Sequence, residues 1–114
     1  LRNMSYTADQ VDDLYEEFSK GANRQIANKA SPVKLRAAES DLLRIAERIR
    51  DLLELAVKGS RDLLVEVFGG NCRRFHGYRQ VMESVELSDM HKKDQRWRHL
   101  KENMDTVEKI LEDL

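Results

Sequence analysis

Residues 31–57 have the sequence SPVKLRAAESDLLRIAERIRDLLELAV, and this stretch decides the fold. Ser31 followed by Pro32 is typical of a helix start, because serine suits the N-cap and proline suits the first helical position. Apolar residues then recur in steps of three and four: Leu35, Ala38, Leu42, Ile45, Ile49, Leu52 and Ala56. A second apolar stripe flanks this heptad pattern: Leu43, Ala46, Leu53 and Val57. Such a broad apolar face predicts a central helix that packs among several neighbours in a bundle.

The end of this central helix depends on the segment KGS at 58–60. Gly59 can end one helix, with the serine after it capping the next, or the helix can continue through this segment. The apolar spacing continues across the site to Leu63, so we favour a single helix over 32–68. The segment FGGN at 68–71 then favours a chain reversal, because glycine and asparagine tolerate left-handed backbone angles.

Three further helices are predicted around the central one. The first spans 7–29, because Thr7 and Gln10 have the form of a capping box ahead of an apolar stripe. The second spans 72–86, and the third spans 89–114 with a heptad stripe of its own: Trp97, Leu100, Met104, Val107 and Leu111. Because the connections are short, we predict an all-α, antiparallel bundle of about four helices.

Length and composition indicate a single domain over residues 1–114, since 114 residues suffice for one core and not for two. The 20 Lys and Arg nearly balance the 21 Asp and Glu, so net charge gives no argument for a polyanionic partner. Because the sequence begins at Leu1 and not at a methionine, we expect it to be part of a longer protein.

Localisation follows from cysteine content and hydropathy. Cys72 is the only cysteine, which excludes an internal disulfide framework and suits a reducing compartment. No apolar run approaches the roughly 18 to 20 residues of a transmembrane helix. We therefore expect an intracellular protein, with the cytoplasm favoured.

Catalytic and metal-binding patterns are weak in this sequence. No Ser, Cys or Lys stands in a known nucleophile motif. His91 and His99 share a helix face but lack the third and fourth ligands that a zinc site needs. We therefore expect no enzymatic activity, no metal and no cofactor.

The helix lengths suggest where a partner binds. A helix over 32–68 is too long to be covered by a short third helix, so part of its apolar face is left for another chain. The residues expected there are Leu53, Val57, Leu63, Leu64 and Val67. This predicts a protein-interaction adaptor or scaffold that binds an amphipathic helix of a partner or pairs with a second copy of itself.

An alternative function is nucleic-acid or anionic-lipid binding through the basic region 73–101. The residues that would neutralise phosphates are Arg73, Arg74, Arg79, Lys92, Lys93 and Arg96. Charges surround the last helix instead of lining one side of it, which favours the interaction module. Lys93 also falls in core phase, so either the bundle ends before it or an acid pairs with it, and we favour the first.

Overall fold

The computed structural model describes the backbone of residues 2–59, 61–68 and 73–113; the side chains of residues 2–8, 61, 63 and 67 are not part of that description. All regular elements in these ranges are helices: α1 (Arg2–Ala27), α2 (Pro32–Lys58), α3 (Arg61–Phe68), α4 (Arg73–Glu83), α5 (Asp89–Lys92) and α6 (Gln95–Glu112). The predicted all-α bundle is therefore confirmed, with α2 packed extensively against α1 and α6.

Side-chain pairs between helices give the helix directions. Gln25 of α1 bonds Glu39 of α2, and Glu17 of α1 pairs with Arg48 of α2, so α1 and α2 are antiparallel, as predicted for neighbours joined by a short connection. α6 runs in the same direction as α2, because Asn103 donates to the backbone carbonyl of Arg50 while the residues before α6 lie near Glu39.

One continuous apolar core holds the helices together. The predicted heptad positions of α2 and α6 supply much of it, and rings from α1 and α6 meet inside it, with Phe18 and Trp97 stacked at a centroid separation of 6.0 Å. The fully buried large side chains include Phe18, Phe68, Phe75, Leu42, Leu43, Ile49, Leu53 and Leu100. Their burial removes apolar surface from water, which is the main force that stabilises the bundle.

The prediction of one helix through Gly59 is wrong. Gly59 has an extended backbone, with φ −83° and ψ −157°, and its amide donates to the carbonyl of Leu55 as a C-cap. α3 begins at Arg61 and packs against α1, α2 and α6. A helix break at this point lets the chain fold back over the end of the bundle, which buries Leu64 and Phe68.

Other boundaries also differ from the predicted ones, and the helix predicted over 72–86 ends at Glu83. α1 begins at Arg2, so the capping-box pattern at Thr7 lies inside a helix and does not start it. The segment predicted as one helix over 89–114 is divided, since Asp94 caps a new helix by accepting from the backbone amide of Arg96. Lys93 lies at this break and is exposed, so it does not occupy a core position.

Candidate functional site

A groove of about 450 Å³ lies between α1 and α4. The two helices run in the same direction beside it, since Asp12 pairs with Arg74 and Tyr15 stacks on Tyr78. Each helix contributes four lining residues at i, i+3, i+4 and i+7 spacing, which places them on one helix face. The lining residues are Asp12, Tyr15, Glu16 and Ser19 from α1 and Arg74, Gly77, Tyr78 and Val81 from α4.

Two tyrosines form the floor of this α1–α4 groove. The rings of Tyr15 and Tyr78 are stacked and nearly parallel, with centroids 3.8 Å apart and an interplanar angle of 6°. The Tyr15 hydroxyl donates to Met104 Sδ at 3.0 Å, and burial raises the pKa of Tyr15, so the phenol stays neutral. The floor is therefore a rigid, largely apolar surface held from beneath by α6.

Gly77 opens the α4 side of the groove. A Cβ added at Gly77 would meet no atom within 4 Å, so nothing in the described structure requires glycine at this position. A glycine inside a helix costs about 1 kcal/mol relative to alanine. Its effect is to leave the backbone of α4 uncovered, so that another backbone can approach closely.

The α1 side of the groove is acidic. Residues 9–17 contain five acids and no base. Arg74 is the one basic residue among those that line the groove, and it lies 3.6 Å from Asp12. Partial burial raises the pKa of Asp12 and Arg74 lowers it, while the neighbouring carboxylates Asp9 and Asp13 raise it further. Two of the five acids, Asp12 and Glu16, therefore place negative charge on the groove wall that α1 provides, and Lys20 pairs with Glu16 there.

The residues predicted to bind a partner do not form an exposed stripe. Leu53 is fully buried, Leu64 is 2% exposed, and Val57 is partly buried against the core. The side chains of Leu63 and Val67 lie outside the described residues. The expectation that Leu53 and Leu64 are open to a partner is therefore wrong, because both side chains belong to the buried apolar core.

The six basic residues predicted as an anion-binding set are not brought together. Arg79 lies between α4 and α6, where it bonds Glu83, Asp105 and Glu108. Arg74 is at the α1–α4 groove, and Arg73, next to it, also takes part in an interaction. The other three, Lys92, Lys93 and Arg96, lie toward the opposite end of the bundle, near the start of α6, where Arg96 pairs with Asp94.

A buried carboxylate cluster, which sequence analysis missed, joins α1, α2 and the α4–α6 connection. Glu39 is 1% exposed and accepts hydrogen bonds from Gln25 Nε2 at 3.0 Å, from the Ser88 amide at 2.9 Å and from the Ser88 hydroxyl. His91 Nδ1 lies 2.8 Å from the same carboxylate. Burial alone would raise the pKa of Glu39, but hydrogen bonds from His91, Ser88 and Gln25 lower it to about 2.

The Glu39 cluster ties three parts of the chain together: α1, α2 and the segment after α4. Ser88 donates its hydroxyl to the Glu39 carboxylate, whose pKa of about 2 makes it a weak base, and His91 contacts the same carboxylate. Gln25 also donates to the backbone carbonyl of Glu86 at 2.6 Å, which ties α1 to the end of the α4–α5 connection. The described residues contain no group of three or more His, Cys, Asp or Glu side chains arranged to hold a metal ion.

Comparison of the chain with protein-family models, with curated proteins and with solved structures found no match. Function therefore has to be inferred from geometry.

Tyr15, Gly77 and Tyr78 were not among the predicted site residues, although a glycine inside the α4 pattern was a signal that could have drawn attention to the groove. Among the described helices, none is long and apolar enough to cross a membrane.

Proposed function

We propose that this bundle is a protein-interaction module that binds a basic amphipathic helix of a partner in the α1–α4 groove. The observation that carries the proposal is the pair of matched helical stripes on either side of a tyrosine floor, with open space at Gly77. A third helix fits between two parallel helices when its apolar residues follow the same three-and-four spacing.

Charge selects a basic occupant. Asp12 and Glu16 are the two acids on the groove wall, whereas Asp13 and Glu17 line the other side of α1, toward α2. Lysines or arginines beside the partner's apolar face would pair with these carboxylates, whereas acidic residues there would be repelled. The acids lie toward the N-terminal side of the groove, and Ser19 and Val81 lie toward the other side.

Synthetic peptides of about 18 residues test this proposal, because shorter isolated helices are marginal in water. One peptide carries leucines at i, i+3, i+4 and i+7 spacing with lysines on the flanks, and its counterpart has glutamates in place of the lysines. Fluorescence anisotropy is expected to show at least about tenfold tighter binding of the lysine peptide. Equal affinities for the two peptides would refute the charge argument.

Substitutions of the groove provide the matched test. Gly77→Leu fills the open space and is expected to abolish binding of the lysine peptide, whereas Gln80→Leu adds the same side chain to an exposed position of α4 that does not line the groove. Glu16→Lys should weaken binding more than Glu102→Lys on α6. If Gly77→Leu leaves binding unchanged in a folded protein, the groove is not the site.

Self-association is a separate outcome of the same series. Sedimentation equilibrium of the wild-type protein would reveal a dimer, and Gly77→Leu would show whether the groove forms its interface. A dimer that this substitution dissociates would mean that a second copy occupies the groove, which would overturn the proposal of a basic partner helix.

A further inference from the structure

The end of the bundle opposite the acidic half of α1 is built from two segments. One is the connection between α1 and α2, with the turns on either side of it, over residues 24–36. The other is the segment 86–93, which contains α5. The Glu39 cluster fixes them to each other, since Gln25 donates to the carbonyl of Glu86 and Glu39 accepts from Ser88. We call the surface formed by residues 24–36 and 86–93 the basic end.

Exposed apolar side chains are concentrated at the basic end. Ile26 is 60% exposed, Val33 is 77% exposed and Met90 is 65% exposed. They are three of the five large apolar side chains that the described part of the chain leaves exposed. Each belongs to a segment that the Glu39 cluster holds in place, so their exposure is a feature of a fixed surface and not of a free chain end.

The charges between these apolar side chains are mostly positive. Residues 24–36 contain four basic residues and no acid, and residues 86–93 add Lys92 and Lys93 against Glu86 and Asp89. The six exposed basic residues are Arg24, Lys29, Lys34, Arg36, Lys92 and Lys93. Glu39 also lies at this end and adds one buried negative charge, so the six exposed basic residues face three acids, Glu39, Glu86 and Asp89, and positive charge remains in excess.

We infer that the basic end docks on an anionic lipid surface. Lys and Arg are attracted to the negative headgroups, while exposed aliphatic side chains enter the boundary between headgroups and acyl chains. A nucleic acid would use the positive charge but gains nothing from aliphatic side chains such as Ile26 and Val33. Single-stranded nucleic acids instead stack on exposed aromatic rings, and the described Phe, Tyr and Trp side chains are all buried or half-buried.

Vesicle cosedimentation tests the inference with two lipid compositions. Vesicles of phosphatidylcholine with about 30% phosphatidylserine are expected to bind the protein at about 50 mM salt and to release it at about 500 mM. Vesicles of phosphatidylcholine alone should bind it much more weakly. Equal binding to the two kinds of vesicle, or binding to neither, would overturn the proposal. Retardation of duplex DNA or RNA in a gel, with no binding to the anionic vesicles, would assign the positive charge to nucleic acid and would also overturn it.

Charge reversals locate the surface. Each Lys near an anionic surface contributes about fivefold to binding, so Lys29→Glu with Lys34→Glu should reduce vesicle binding by at least about 25-fold. The matched control is Lys58→Glu with Lys109→Glu, which makes the same change of charge in the last turns of α2 and α6, at the other end of the bundle. Loss of binding in the control pair as large as in the test pair would show that net charge acts and not the basic end.

An apolar pair separates lipid docking from simple charge attraction. Ile26→Ser with Met90→Ser keeps every charge and is expected to weaken vesicle binding about tenfold, because the aliphatic contacts with the bilayer are lost. Leu55→Ser is the control, since Leu55 is also 61% exposed but lies on the C-terminal half of α2. Unchanged binding of the apolar pair would refute insertion. Gly77→Leu should bind vesicles as the wild type does, so the two proposals can fail independently.

Discussion

Gly21 in α1 and Gly77 in α4 both lie inside helices, but the space around them differs. A Cβ at Gly77 would meet nothing within 4 Å, whereas a Cβ at Gly21 would lie 2.9 Å from Leu42 Cδ2 and 3.5 Å from Leu42 Cγ. Replacement by alanine therefore gives the same gain in helix propensity at both positions, but only the alanine at Gly21 meets a neighbouring side chain. The pair of variants measures how closely α1 and α2 approach each other at Gly21.

Gly77→Ala should stabilise the protein by about 1 kcal/mol, because alanine is the better helix former by that amount. For a domain of this length, a gain of that size raises the melting temperature by about 4 °C. Gly21→Ala has the same helical gain, but Leu42 is fully buried and has to move within a packed core. Overpacking costs about 1 to 3 kcal/mol, so Gly21→Ala is expected to be neutral or destabilising by up to about 2 kcal/mol.

Equilibrium unfolding in urea, followed by circular dichroism at 222 nm, measures both changes. The free energy of unfolding should differ between the two variants by about 1 to 3 kcal/mol at an unchanged slope. Leu42→Ala supplies the control, since removal of the contacting atoms should let Gly21→Ala show its full helical gain in that background. Equal stabilisation by the two alanines in the wild-type background would refute the close approach of α1 and α2.

Three further predictions concern buried and interhelical charges. Glu39→Gln should lower the free energy of unfolding by about 1 to 3 kcal/mol, because the new amide nitrogen faces donors that the carboxylate satisfied; urea unfolding at neutral pH measures it. Hydrogen bonds from His91, Ser88 and Gln25 overcome desolvation and hold the folded pKa of Glu39 at about 2, against an ordinary value of 4.5. The contribution of Glu39 to stability is therefore fully present above about pH 4.5 and is lost as pH falls through about 2. The free energies of unfolding of wild type and Glu39→Gln in urea should converge toward low pH, and a constant difference across that range would contradict the assignment. Arg79→Leu should cost about 1 kcal/mol at low salt and less at high salt, since Arg79 is partly exposed and bonds carboxylates on both α4 and α6; Arg79→Lys, which lacks the planar fork, should restore only part of it in thermal melts.

The α2 core was predictable because its evidence is local. Ser31 and Pro32 mark the start of the helix, and the three-and-four spacing from Leu35 onward depends only on neighbours along one helix. The same spacing continued through Gly59 and gave the wrong helix end, since periodicity reports which face is apolar and not whether the backbone stays helical. Gly59 instead takes an extended conformation, and α3 turns back.

That single break also explains why the predicted partner surface was misplaced. With one continuous helix, Leu53 and Leu64 would extend along a stripe beyond the reach of the short third helix. With a break at Gly59, α3 packs against α1 and α2 and carries Leu64 into the core. Of the predicted partner surface, Leu53 and Leu64 are therefore buried within the chain itself.

The Glu39 cluster and the groove were not predictable from one sequence for a different reason. Glu39 meets Gln25, Ser88 and His91, which are separated from it by 14, 49 and 52 positions along the chain. A glutamate in the α2 pattern is typical of a solvated helix face, and only the packed structure shows that donors surround it. The stacking of Tyr15 on Tyr78 likewise depends on the relative placement of α1 and α4.

The two proposed surfaces lie on different parts of α1, so both can be occupied together. Asp12 belongs to the groove and Ile26 to the basic end, and they are 14 positions apart on α1, which is about 20 Å along the helix. The described structure contains no hinge between them, since α1 is continuous from Arg2 to Ala27 and the Glu39 cluster fixes its C-terminal part to α2.

Coupling between two ligands requires an element with two arrangements that both ligands bias. The affinity for a helical peptide should therefore be the same on anionic vesicles as in solution, once the peptide's own binding to lipid is subtracted. A change of more than about threefold would mean that lipid docking alters the α1–α4 packing, and hydrogen exchange at the α4 amides would detect that alteration directly.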